Sequence, residues 1–196
     1  MNRLASPTLA ALLAVVPTVA LAHTGGDHVH GFEAGLSHPI LGVDHLLAMV
    51  AIGLVSARAG GAFQLRVPAG FLGGMGLGAL LAMGGVAIPF AEQGIAGSLV
   101  ILGVLLAVSV SGVGTAGARL VALAGLFGFL HGFAHGTEVP ESGSGLAYAA
   151  GFLLTTAGLH TAGVLAGRQV LEKTMVWRVG GVALSAAGLA FATGAV

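Results

Sequence analysis

Read for apolar and polar positions, the chain is a series of long apolar runs separated by short polar clusters. Six runs fall at about residues 39–57, 67–88, 94–112, 116–136, 144–168 and 175–195. Each has roughly the 20 residues needed to cross a hydrocarbon core at about 1.5 Å of rise per residue. Backbone groups in lipid must be paired within their own segment, so each run is expected to be a helix. The pattern predicts an all-α integral membrane protein whose main body is a bundle of six transmembrane helices.

Ahead of the runs, the first 22 residues read as a cleavable signal peptide. Arg3 gives a short positive start, "LAALLAVVPTVALA" an apolar core, and Ala20-Leu21-Ala22 a small-x-small cleavage site. Pro17 interrupts that core and argues against a permanent span, a retained extra helix being the alternative. The expected organisation is therefore a signal peptide (1–22), a histidine-containing periplasmic segment (23–37) and a six-helix transmembrane domain (38–196).

Charge in the connections sets the orientation. Arg58 and Arg66 follow the first run, Arg119 follows the third, and Arg168, Lys173 and Arg178 surround the turn between the fifth and sixth. The remaining connections carry Glu92, or Glu138 and Glu141, and no Lys or Arg. By the positive-inside bias the odd-to-even turns face the cytoplasm, which places both ends of the mature chain outside. This agrees with the signal peptide and predicts a multi-pass protein of a bacterial inner membrane with a periplasmic N-terminus.

Composition sharpens the class. The chain is 56% hydrophobic and 7% charged, with mean hydropathy +1.01, against about a quarter charged in ordinary soluble domains. Seven basic and seven acidic residues cancel, so no basic surface for nucleic acid is expected and the lipid bilayer is the implied partner. Cysteine is absent, which excludes disulfides and thiolate sites and leaves histidine and carboxylates as metal-binding groups. Many of the 35 glycines are periodic. Gly70, Gly74 and Gly78 recur every four residues, as do Gly128, Gly132 and Gly136, and Gly163 and Gly167 repeat the step. Such stripes allow helix backbones to approach closely.

Two polar clusters interrupt the apolar pattern. In "HPILGVDH" (38–45), His38 and His45 are seven apart and expected on one face of the first helix, with Pro39 placed to start it. Asp44 lies about a quarter-turn from His45, equally suited to be a ligand or a partner that orients one. In "FLHGFAHGTEVPE" (129–141), His131, His135 and Glu138 fall within a stripe about 60° wide. The first helix runs inward and the fourth outward, so His38 and Glu138 should lie near the outer surface and His45 and His131 about 10 Å deeper. If those helices touch, the groups converge, and the Gly128/Gly132/Gly136 stripe would permit the contact. Ionisable groups within spans face an interior path or a partner. Imidazoles with carboxylates suit nickel, cobalt, zinc or copper rather than calcium or magnesium. The plainer alternative is a His–Asp–Glu hydrogen-bond network joining helices.

"HPILGVDHLLAMVAIG" resembles the HPxxGxDHxxxxxxxG motif of the HupE/UreJ family of nickel permeases, Gly42 and Gly53 included, and "FLHGFAHGTE" is similar to that family's second histidine-rich segment. The resemblance extends over essentially the whole chain. It implies uptake of nickel, or cobalt, across the inner membrane to supply hydrogenase or urease maturation proteins, the ion being substrate rather than a permanently bound cofactor. On that basis His38, Asp44, His45, His131, His135 and Glu138 carry over as metal-handling residues.

Other positions carry two readings each. His160, in the inner half of the fifth run, is an exit-side relay or a core histidine hydrogen-bonded beside Thr156 or Thr161. Met49, one turn below His45, is core packing or a soft secondary ligand. The mature N-terminus "HTGGDHVHGFE" is a polar tail, or captures metal through His23, Asp27, His28 and His30. The number of copies is open, a homo-oligomer being one outcome. Against the transporter stand an intramembrane zinc-dependent hydrolase, which no HExxH motif supports, and a purely structural membrane subunit.

Overall fold

The structure, a computed structural model, describes residues 31–108, 116–139 and 144–195. The signal segment, His23, Asp27, His28, His30 and Glu141 lie outside the described residues. Among the described residues all regular structure is helical: α1 (Gly31–Leu41), α2 (Val43–Ala59), α3 (Phe63–Met83), α4 (Ala91–Ala107), α5 (Ala116–Thr137), α6 (Gly145–Gln169) and α7 (Thr174–Thr193). Helices α3, α5, α6 and α7 are each long and apolar enough to cross a membrane, and α1 with α2 would make a fifth, bent span. Helix α4 is apolar but shorter. The chain is a multi-pass membrane protein by these helices.

The first expected helix is the main correction. Instead of one helix begun by Pro39, the chain forms two, with an 80° bend between them. Pro39 lies near the end of α1, where its ring removes an N–H from the helical ladder. Gly42 then takes an extended conformation (φ −81°, ψ 111°) and its carbonyl accepts the first bond of α2 from Leu46. Hydrophobicity did not announce α1, because "GFEAGLS" is small and polar. What holds it is packing: Gly35 lies against the Tyr148 carbonyl, Gly151 lies against the backbone of α1, and Thr155 Oγ1 donates to the Leu36 carbonyl (2.8 Å). Helix α3 also ends earlier than expected, at Met83, where Gly84 and Gly85 (φ +83°) turn the chain and close the last carbonyls.

The glycine stripes pair the helices. Gly74 and Gly78 of α3 sit on the backbone of Gly125, Phe129 and Phe133, while Gly128, Gly132 and Gly136 of α5 sit on that of Phe71, Met75 and Ala79. The stripe on α5 therefore serves contact with α3, and not, as expected, contact with the helix that carries His45. That helix, α2, crosses α6 where Gly53 meets Gly163, and Gly167 abuts Ala57; α4 crosses α7 at Gly103 and Gly181. Between the pairs lies a core that includes Met49, Ile52, Phe71, Met75, Leu99, Phe127 and Phe152. At one end Arg58 donates to the Leu106 carbonyl at the end of α4 (2.5 Å) and stacks on Trp177 of α7 (5.1 Å).

These crossings leave no room for a methyl group. Gly132→Ala, whose added carbon meets the Met75 backbone, should cost about 1–3 kcal/mol, whereas Gly73→Ala on α3 meets nothing. Thermal unfolding of the two variants in detergent should show a lowered midpoint for the first and none for the second.

Candidate metal centre

Because α5 backs onto α3 through its glycines, its histidines point the other way, into the space bounded by α1, α2 and α6. His131 and His135 are fully buried, and Glu138 follows just beyond the helix end. From the other side come His38, at the end of α1, and His45, in the first turn of α2. The bend at Gly42 brings their rings to 6.1 Å, closer than the depth difference expected of one continuous helix. Gly42 is thus a residue of the bend rather than of helix packing. A side chain there would press on His45 Nδ1 and the Asp44 carboxylate.

The outermost group is His38, His135 and Glu138, whose ligand atoms lie within 4.8 Å of one another. His38 Nε2 is 3.1 Å from Glu138 Oε2, and His135 Nδ1 is 3.7 Å from the same oxygen. Glu138 is half-exposed and His38 a third, so this group faces the surface, while His135 seals its floor. The His135 and His38 rings hold the Glu138 carboxyl below the usual carboxylate range, so it stays an ionised acceptor well into acid. Two imidazoles and a carboxylate at this spacing could hold a divalent transition metal.

Deeper in, the rings form a stair. His135 is 4.4 Å from His45, and His45 is 5.4 Å from His131. His45 Nδ1 lies 2.7 Å from Asp44 Oδ1, which also accepts from the His45 backbone N–H. His131 Nδ1 lies 2.8 Å from the Phe127 carbonyl. A carboxylate and a carbonyl only accept, so Nδ1 carries the proton in both rings, and in the neutral form each Nε2 keeps its lone pair. Neither Nε2 has a partner among the described residues. This is how a metal-binding imidazole is commonly oriented, by a second hydrogen bond from its far nitrogen. Asp44, left open above between ligand and orienting partner, is hydrogen-bonded to His45 through Oδ1.

The remaining expected positions fall elsewhere. Met49 is wholly buried in the apolar core. His160 is buried but is not hydrogen-bonded to Thr156 or Thr161: Thr161 donates to the Ala157 carbonyl, and both His160 nitrogens lack partners among the described residues. Three residues were missed from sequence. Tyr148 stacks edge-on against His38 (5.9 Å) with its hydroxyl buried, and Phe71 lies 5.3 Å from His131. Glu92, in the first turn of α4, is near enough to act electrostatically on His45, Glu138 and Asp44. Glu92 stood out as a lone carboxylate beside an apolar run; the two aromatics carried no signal against their background.

A bundle of apolar helices enclosing a stair of histidines, with Asp44 and Glu138 beside it, defines a multi-pass membrane protein with a polar cluster in its interior. The chain belongs to the HupE/UreJ family: the profile described as "HupE / UreJ protein" matches residues 10–191. It is similar to "Protein HupE" of Rhizobium leguminosarum bv. viciae, 39% identical over 189 residues, which covers 95% of this chain and 96% of the relative. No solved structure gives a significant match.

An orienting role for Asp44 would have a measurable consequence. Asp44→Ala should weaken nickel binding to the purified protein by roughly 10–100-fold, measured by equilibrium dialysis. Unchanged affinity would mean that His45 needs no orienting partner.

Proposed function

We propose that the protein is a nickel uptake permease, accepting cobalt as well, of a bacterial inner membrane, and that it supplies the metal to hydrogenase or urease maturation. The observation that carries this reading is the run of bare imidazole nitrogens from a half-exposed outer group into the bundle, in a chain of the HupE/UreJ family. A resident metal needs one closed set of ligands, whereas a permeating ion needs successive sets, each firm enough to select and loose enough to release. His38, His135 and Glu138 capture the ion at the mouth in exchange for part of its hydration shell. His45 and His131, held by Asp44 and the Phe127 carbonyl, take it inward.

In this reading the six apolar runs span the membrane with both mature ends outside, α1 lies at the periplasmic mouth, and the arginine-bearing turns face the cytoplasm. Inward movement follows the membrane potential and chelation in the cytoplasm. The outer group is also a His₂Glu set of the kind that holds catalytic zinc, which favours an intramembrane hydrolase as second reading. Such an enzyme would retain its zinc through dialysis, whereas a permease exchanges metal freely.

The test is radiolabelled nickel uptake in cells lacking other nickel transporters. The wild-type protein should accumulate nickel, and His45→Ala and His131→Ala should each lower uptake to near background. Equal accumulation in all three rejects the proposal. A protonated imidazole has no lone pair to give, so wild-type uptake should also fall as the outside pH drops from about 7 to 5. A pH series of initial rates checks the sign.

A further inference from the structure

His160 belongs to no group described so far. It is 1% exposed, and both its ring nitrogens lack partners among the described residues. Burying an imidazole with neither nitrogen bonded is unfavourable, and such groups call for an explanation. Its surroundings supply one. Its ring packs edge-on against Phe71 at 5.0 Å, and Phe71 in turn lies 5.3 Å from His131, the innermost step of the stair. One aromatic ring therefore separates the two histidines. His160 also lines a half-open groove of about 580 Å³ between α3 and α6, whose walls are mostly apolar (Leu65, Pro68, Leu72 and Leu165 among them) and whose polar groups are Thr161, the half-buried Gln64 and the exposed Arg168. Arg168 donates to Gln64 Oε1 from Nε (3.0 Å) and from Nη2. This pair belongs to the arginine-rich end of the bundle, opposite the half-exposed His38 and Glu138.

We propose that His160 is a discharge site for the divalent metal: a single imidazole contact, beyond Phe71, from which the ion passes into the α3–α6 cavity. The inference rests on the permease reading. One imidazole with water as the other ligands binds a divalent ion weakly, and weak binding is what the last station of a path requires. The mouth group, with three converging donors, is the opposite extreme.

The chain lacks cysteine, so His160→Cys carries a unique thiol. In proteoliposomes of the full chain, a hydrophilic, membrane-impermeant thiol reagent should label it from the side of Arg58, Arg66 and Arg168, and cadmium should slow the labelling. His160→Phe should lower nickel uptake by roughly ten-fold or more while nickel binding at the mouth, measured by equilibrium dialysis, keeps its wild-type affinity. Wild-type uptake in the His160→Phe variant, or a thiol that is unlabelled in folded protein because acyl chains fill the cavity, overturns the discharge site and leaves the permease standing. Absence of uptake in the wild type overturns the permease reading itself.

Discussion

Contact between helix backbones, made possible by glycine, is the constraint on which the structure depends. Between helices in lipid there is little hydrophobic drive, so association needs close van der Waals packing. Here that packing is made at glycines on at least four helix pairs: α3 with α5, α2 with α6, α1 with α6, and α4 with α7. The consequence reaches the chemistry. With one face of α5 committed to α3, His131 and His135 must project from another. With α1 and α2 both held against α6, His38 and His45 arrive at the same place from across the bundle. Helices α2 and α5 themselves scarcely touch. Their imidazoles bridge the gap, so the space between them is polar and is bounded by helices that are fixed elsewhere.

Much of this was legible in the linear pattern, and the boundary of legibility has a physical basis. Helices α3, α5, α6 and α7 announce themselves because a span must be apolar over about 20 residues. Counting rise per residue along oppositely directed helices put His38, His45, His131, His135 and Glu138 at matched depth and made their convergence depend on contact between the two helices; the rings do meet, through the bend at Gly42 rather than through that contact. Helix α1 was not legible, since it is held where its Gly35 meets α6 and by Gly151 and Thr155 of α6, more than a hundred residues away. The partner of the α5 glycine stripe was not legible either: spacing shows that a helix has a face for close contact, not which helix accepts it. Phe71 and Tyr148 were hidden for a simpler reason. In a membrane protein a phenyl ring facing a histidine looks the same in sequence as one facing a lipid.

The polar interior is graded rather than uniform. Its outer members are partly solvated and include a carboxylate that holds its charge. Its middle members are each locked in one tautomer by an acceptor, Asp44 or the Phe127 carbonyl. His160, apart from these, makes no hydrogen bond among the described residues.

The elbow at Gly42 bears on how the octapeptide 38–45 should be regarded. Two histidines seven apart on a straight helix stand too far from one another to share an ion. Folded at 80°, they bring their rings to 6.1 Å, a separation determined by the angle. Within these eight residues the Gly42 N–H donates to the His38 carbonyl (3.3 Å), and α1 and α2 are each packed on α6 through Gly35 and Gly53, so a synthetic octapeptide has the donors without the packing that holds the angle. The motif is a tertiary object written in a contiguous stretch of chain.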